Sequence, residues 1–406
     1  MAFQQGLSGI NAASRNLDVI GHNVANASTV GMKASRAEFA ELYASSIGSS
    51  GGVNSGIGVT VAKVTQLFTQ GNVTVTGNDL DVAINGSGFY ELTMPNGTMA
   101  YSRAGMFKLN NEGEIVNNQG SNLMGYPTDE FGTRLSFTTQ PLSLPTGGPI
   151  PANKTSKIET EFNLDARAPI FNTVTPNTPL SQYGTSVVAY DPQGLEVPVG
   201  LAFQKTANNE WTVYRSVNGG PLAQSTPPTV LRFKDDGTLN TATSTMPPIT
   251  LASPNNPAVT FSATLDYGNA TQFGIDFAVT NLTQDGYRPG ELTSLKIDEG
   301  GVITASYSNG QTRAAGQIAL VNFRNVQGLQ PTGNGNWEAN YATGEPVHGA
   351  PGEGKFGGLR SGALEDSNID ITGELVAMMS AQRAYQANAQ TIKTQDQVLS
   401  TMLNMR

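Results

Sequence analysis

Proline is absent from the first 94 and the last 55 residues of this 406-residue chain, and 17 of its 22 prolines fall between Pro141 and Pro289. Proline has no backbone N–H and a fixed φ, so it gathers at turns and sheet edges and is excluded from helix interiors and central strands. The chain therefore divides into two proline-free ends and a proline-rich middle that reads as a domain of its own.

Both ends read as helices. Near the start, Phe3, Ile10, Leu17 and Val24 recur every seven residues, with Ala13 and Ile20 between them. That is a single apolar stripe at the coiled-coil period. Gly6 and Gly9 lie inside it, each costing roughly 1 kcal/mol relative to Ala, so this helix is not expected to stand alone in water. The final segment from Glu374 to Arg406 lacks Gly and Pro. Ile371, Met378, Tyr385, Ile392 and Leu399 recur every seven residues, with Leu375, Ala389 and Leu403 at the intervening seam positions and Gln382 and Asp396 interrupting it. Asp370 is placed to cap this helix. Two apolar seams at opposite ends predict that the ends pair with one another, and that both stay loose until neighbouring copies order them.

Between the ends the pattern is strand. Alternation marks Val73–Val75 and Leu80–Ile84, and a hairpin is expected from Phe107 to Val116 around Asn111-Glu112-Gly113. Further strands are expected at Val187–Tyr190, Glu196–Phe203, Trp211–Tyr214 and Leu292–Ile297, with a turn at Asp191-Pro192-Gln193-Gly194. The fold class is α+β: a terminal α-helical coiled-coil domain with nested, mostly β inserted domains. The expected divisions are 1–30 with 364–406 (inner helical), 31–70 with 352–363 (connecting), 71–143 with 284–351 (β-rich) and 144–283 (outer β). Ser45–Ser55 is Ser- and Gly-rich and reads as a flexible connection.

Composition narrows function. A net charge of −9 and a pI near 4.8 offer no basic patch for a polyanion, so nucleic acid is not an expected partner. Cysteine is absent, which removes disulfides, thiolate nucleophiles and thiolate metal sites together. No apolar run is long enough to span a membrane, and the first residues lack the basic and apolar regions of a cleavable signal peptide. The two histidines, His22 and His348, belong to no metal-ligand spacing. Gly352-Glu353-Gly354-Lys355-Phe356-Gly357 matches the dinucleotide-binding pattern, but a proline-rich loop precedes it where a buried strand is required. Asp79/Asp81 and Asp235/Asp236 lack the ligand spacing of a calcium loop. No catalytic, cofactor or metal site is expected, and the chain does not read as an enzyme. Along the last helix Gln382, Gln386 and Gln390 are spaced by four, and Gln397 extends that side. Only five side chains from Ile371 to Arg406 are charged, so this polar face is nearly uncharged, which suits a crowded or confined surface.

These residues carry a family resemblance. Leu17-Asp18-Val19-Ile20-Gly21-His22-Asn23-Val24-Ala25-Asn26, followed by Thr29-Val30-Gly31-Met32-Lys33, resembles the N-terminal signature of flagellar axial proteins, with Asn23, Asn26, Thr29 and Gly31 at motif positions. His22, Val24 and Met32 stand where the family usually has Asn, Ile and Phe. Gly362-Ala363-Leu364-Glu365 and Ala381–Ala389 resemble its C-terminal segment. Leu80–Ile84 with Gly88-Phe89, and Tyr101-Ser102-Arg103-Ala104-Gly105, resemble its shared β domain. The insertion from Leu144 to Thr283 is similar in size and position to the outer domain of the hook members, as are Asp191–Gly194 and Asn209-Glu210-Trp211. The resemblance implies a structural subunit that self-assembles into a curved helical tube. Such a tube acts as a universal joint, passing torque from rod to filament around a central export channel. It lies outside the cell and is reached without a cleavable signal. The alternative is a distal rod protein. Implied partners are further copies of the chain, the distal rod, the hook cap, the hook–filament junction protein and the export apparatus. Phe3, Ile10, Leu17, Ile20, Val24, Ile371, Leu375, Met378, Tyr385, Ile392 and Leu399 would form assembly seams, and Gln382, Gln386, Gln390 and Gln397 would face the channel.

Overall fold

The computed structural model describes residues 2–43, 56–144, 148–171 and 182–404. Ser45–Ser55, read above as a flexible connection, and the Leu403 side chain lie outside the described residues. The chain forms two compact units: residues 1–147, 294–306 and 312–406 make the first, and 148–293 with 307–311 the second.

In the first unit, helix α1 (Ala2–Ala25) packs along helix α2 (Ile371–Asn404). Gly6 and Gly9, which cost helix propensity, lie where the two helices approach. A Cβ at Gly9 would lie 2.7 Å from Asn388 Nδ2, and one at Gly6 would lie 3.0 Å from Ile392 Cγ1. Next come strands β1 (Ser35–Tyr43) and β2 (Gly56–Gln66), an antiparallel pair packed on α1. Gln5 Nε2 donates to the Gly56 carbonyl at 2.6 Å, and Val59 N–H donates to Ser8 Oγ. This long hairpin occupies a stretch whose sequence reads only as a connection, although Val59 and Val61 do flank Thr60.

Two short pairs then join the beginning of the chain to its end. Strand β3 (Val73–Val75) pairs with Ala363–Glu365, and β4 (Val82–Asn85) pairs with Gly358–Ser361, both antiparallel. Strands β5 (Phe89–Thr93) and β6 (Met99–Ser102) form a hairpin inside the main sheet. There β5 pairs with Asn122–Tyr126 and with Leu320–Asn322, and β6 pairs with Asn336–Glu338. One face buries Phe89, Tyr101, Val321, Phe323, Leu329 and Trp337, with Phe68 packed against them. Phe68, Phe89 and Trp337 meet edge to face with ring centres 5.7–5.8 Å apart, an arrangement favoured by the ring quadrupoles. The Trp337 indole N–H donates to Gln66 Oε1 at 2.6 Å.

The second unit contains two four-stranded sheets. One is an antiparallel meander of Tyr183–Tyr190, Glu196–Ala207, Glu210–Val217 and Ala223–Arg232. The other orders Ile249–Ala252, Thr260–Asp266, Lys157–Asn163 and Ala278–Gln284. A shared core of inward residues, including Ile158, Phe162, Phe203, Trp211, Leu231 and Leu251, lies between them. The turn expected at Asp191–Gly194 forms, with Gly194 in the left-handed region at φ +81. The buried Asp191 carboxylate accepts from the backbone N–H groups of Gln193 and Leu195 and from Ser253 Oγ. Burial alone would raise its pKa, but these donors outweigh it and hold the carboxyl below its usual value.

Each unit holds one of the chain's two tryptophans. Trp211→Ala removes a fully buried indole and its bond to Gln272, and should cost the second unit about 3–5 kcal/mol. In a urea titration the far-UV signal of that unit should move to lower denaturant while the Trp337 fluorescence midpoint stays in place.

Candidate functional site

Four short stretches, far apart in sequence, meet where the helices join the first unit's sheet. Gly31 follows α1 in the left-handed conformation at φ +71 and donates its N–H to the Glu365 carbonyl at 2.8 Å. A Cβ there would lie 2.6 Å from the Ala104 nitrogen, so only glycine fits. Two residues on, the wholly buried Lys33 donates from Nζ to Glu365 Oε1 at 2.6 Å and to the Thr69 carbonyl at 2.8 Å. Arg103, just after β6, donates to Glu365 Oε2 at 3.1 Å and to the Gly86 carbonyl at 2.9 Å, with its guanidinium over the Phe89 ring. The Gly71 N–H completes the set at 3.0 Å from Glu365 Oε1. One buried carboxylate thus holds two cations and an amide. Burial lowers the Lys33 pKa, the Glu365 carboxylate opposes that shift, and Arg103 adds to it.

Beside this cluster, the buried Asn23 near the end of α1 bonds Ser35 in both directions. Its Nδ2 donates to the Ser35 carbonyl at 2.8 Å, and its Oδ1 accepts from the Ser35 N–H at 2.9 Å. The same Nδ2 lies 3.0 Å from Glu374 Oε1 in the first turn of α2. Asn26 Nδ2 donates to the His22 carbonyl, and Thr29 Oγ1 to Asn26 Oδ1. Asp370 caps α2 by accepting from the Thr372 N–H at 3.0 Å.

The helical faces divide unevenly. On α1, Ala13 and Ile20 are buried, Ile10, Leu17 and Val24 are half-buried, and Phe3 is about half exposed. On α2 the least exposed residues are Glu374, Met378, Ala381, Asn388, Ala389, Ile392 and Gln395. The inner row of the pair therefore runs through 374, 381, 388 and 395. It lies one residue before the row suggested by Leu375 and Ala389. At this row the helices approach closely: Asn388 packs on Gly9, leaving no room for a side chain at position 9. Gln382 and Asp396, which interrupt the sequence pattern, are exposed and outside this contact. Ile371, Leu375, Tyr385 and Leu399 are each nearly half exposed, as are Val376 and Met379, which the heptad pattern did not single out. Gln382, Gln386, Gln390 and Gln397 are all exposed, and helical periodicity places them on the face that begins with Ile371, Leu375 and Met379.

The proline-rich stretch before Gly352, read above as a loop, contains the strand Val347–Gly349, where His348 Nε2 lies 3.0 Å from Glu91 Oε1. The Gly352–Gly357 pattern forms a turn closed by Gly352 N–H to the Gly357 carbonyl, and it leads into a strand rather than a helix. Among the described residues, no group of three or more His, Asp or Glu could hold a metal ion, and no helix is long and apolar enough to cross a membrane.

Four segments match flagellar families. Residues 3–33 match the flagella basal body rod protein family, and 83–159 the flagellar hook protein FlgE/F/G D1 domain. Residues 163–287 match the flagellar basal body protein FlaE D2 domain, and 360–405 the flagellar basal body rod FlgEFG protein C-terminal family. The flagellar hook protein FlgE of Escherichia coli (strain K12) is 41% identical over 411 residues, covering 100% of both chains. The chain belongs to the flagellar hook protein family. The hook protein FlgE of Rhizobium meliloti (strain 1021) is 33% identical over 414 residues, covering 100% of this chain and 98% of that one. The crystal structure of Helicobacter pylori flagellar hook protein FlgE2 shares the fold, with a TM-score of 0.55 at 15% identity over 72% of this chain and 100% of that one. The full-length relatives are hook proteins, so the hook reading stands over the distal-rod alternative. The first matched segment ends at Lys33, and the last contains Glu365.

Removing one partner of a buried ion pair strands the other charge, at a cost of about 3–5 kcal/mol. Lys33→Met should therefore destabilise the first unit by about that amount. The shift should appear in urea titrations followed by Trp337 fluorescence in a Trp211→Phe background.

Proposed function

We propose that copies of this chain associate head to tail through their terminal helices into an open helical tube. The observation that carries this reading is the apolar surface left on the helix pair. Phe3 and Leu7 on α1, and Ile371, Leu375, Val376 and Met379 on α2, are all about half exposed within a single copy. Each Å2 of apolar surface covered by a neighbour contributes about 25 cal/mol. A contact of this kind that does not close by rotation extends into a helical polymer.

In this reading the chain is nested in four parts. Residues 1–30 with 364–406 form the inner wall, 31–70 with 352–363 the connection, 71–143 with 284–351 the middle layer, and 144–283 the outer layer. The helices carry torque from rod to filament, while polar outer surfaces slide as the curved tube bends, giving a universal joint. The role is mechanical and not enzymatic, and it is exercised outside the cell. The neighbours are further copies along the tube, the distal rod and the junction protein at its ends, and the cap and export apparatus during growth. Gln382, Gln386, Gln390 and Gln397 line the channel, where an amide hydrogen-bonds water without attracting the charges of a passing chain.

Leu375→Asp combined with Met379→Asp tests the assembly face. Under salt that polymerises the parent chain, the critical concentration should rise more than tenfold, a loss above about 1.4 kcal/mol per contact. Electron microscopy and sedimentation read this, with unchanged circular dichroism confirming the fold. Normal polymers from this variant would remove the helices' outer face from the interface. For the channel, Gln386→Lys with Gln390→Lys should slow secretion of later-exported subunits several-fold through otherwise normal tubes.

A further inference from the structure

Glu91 lies on β5, in the centre of the first unit's sheet, with its side chain only 4% exposed. His348 Nε2 meets its Oε1 at 3.0 Å, and among the described residues its Oε2 has no hydrogen-bond partner. A buried carboxylate with one orphaned oxygen depends strongly on its remaining partner. His348 is one-third exposed and can exchange its proton with water. It lies on the three-residue strand Val347–Gly349, which hydrogen-bonds to Leu320–Asn322, itself paired with β5. The ion pair therefore reaches across an intervening strand and fastens this short outer strand to the sheet centre. Just beyond, Gly349 lies under the Phe356 ring, so the strand also positions the segment returning toward Gly358–Ser361 and α2.

We propose that Glu91 and His348 form a proton-operated clasp that holds the strand Val347–Gly349 on the sheet when His348 is protonated and loosens it when the proton leaves. Other charges surround the pair without replacing it. Arg324, Glu353 and Lys355 line the groove that His348 shares with Phe323 and Phe356, and Glu353 is already paired with Arg134 at 3.1 Å. Tyr101 and Tyr126 have raised pKa values, Tyr101 to about 12. Burial is the main cause for both, with Glu91 contributing to each and Glu345 to Tyr101. Both phenols are therefore neutral in the relevant range. The bond to Glu91 raises the His348 pKa, and partial burial opposes it. The raised value fixes the sign: the clasp's contribution is complete below about pH 6.5, the usual histidine value. It is lost as pH rises through the higher folded value.

Hydrogen exchange of the purified full chain, corrected for the intrinsic pH dependence of exchange, tests this directly. Between pH 5.5 and 8.5, the amides of Val347–Gly349 should lose about tenfold in protection, with a midpoint matching the NMR titration of the His348 ring. Protection in β6 should not change. His348→Gln should give the lower protection at both pH values. Constant protection in the parent while the His348 ring titrates would overturn the clasp, as would a ring that titrates at or below the ordinary histidine value. If the Gln variant fails to fold, the parent's two pH series still decide the question.

Discussion

A carboxylate with no exposed surface is costly to bury, and Glu365 is tolerated because every approach to it is filled. Lys33 and the Gly71 amide reach one oxygen and Arg103 the other. These partners come from residues 332 and 262 positions away in the chain for Lys33 and Arg103. The ion cluster is therefore the point at which the start of the chain, the sheet and the approach to the last helix are fixed together. Whole domains are stable by only about 5–15 kcal/mol, and breaking a buried ion pair costs about 3–5 kcal/mol, so this cluster weighs heavily on the junction.

The helix pair depends on that junction. Neither helix has the composition of a self-sufficient rod: α1 carries two glycines in its contact face, and α2 presents Glu374, Asn388 and Gln395 inward. The pair is held at its base by Asn23, Glu374 and the Asp370 cap, and its approach distance is set by Gly6 and Gly9. What remains exposed is apolar near the beginning of α2 and glutamine-rich further along the same face. One helix thus carries two kinds of exposed surface.

Much of the architecture was legible in the residues. Proline placement separated the middle from the ends, period-two alternation located the strands, and Asp191-Pro192-Gln193-Gly194 announced its turn. The motif residues Asn23 and Gly31 were legible through resemblance, and the structure supplies their physics: an amide bonded to both α2 and β1, and a backbone too close to Ala104 for any side chain. Other features were not readable. The inner face of α2 combines Met378, Ala389 and Ile392 of the apolar pattern with Glu374, Ala381, Asn388 and Gln395, which apolar periodicity does not mark. The β1–β2 hairpin is interrupted by a Ser/Gly stretch that masked its alternation. Lys33, Arg103 and Glu365 each stand in a stretch that carries the family resemblance, but no pattern joins them until the fold brings them together, and nothing near His348 in sequence hints at Glu91.

The pairing of β3 and β4 with Ala363–Glu365 and Gly358–Ser361 also governs when folding can finish. These contacts close loops of nearly three hundred residues, and contacts of such sequence separation form late and slowly. A chain emerging from its N-terminus cannot complete its first unit until more than nine-tenths of it has appeared. Until then β3 and β4 lack their partner strands and Lys33 lacks Glu365. The topology thus acts as a timer that leaves the first short strands unpaired while the trailing end is still arriving.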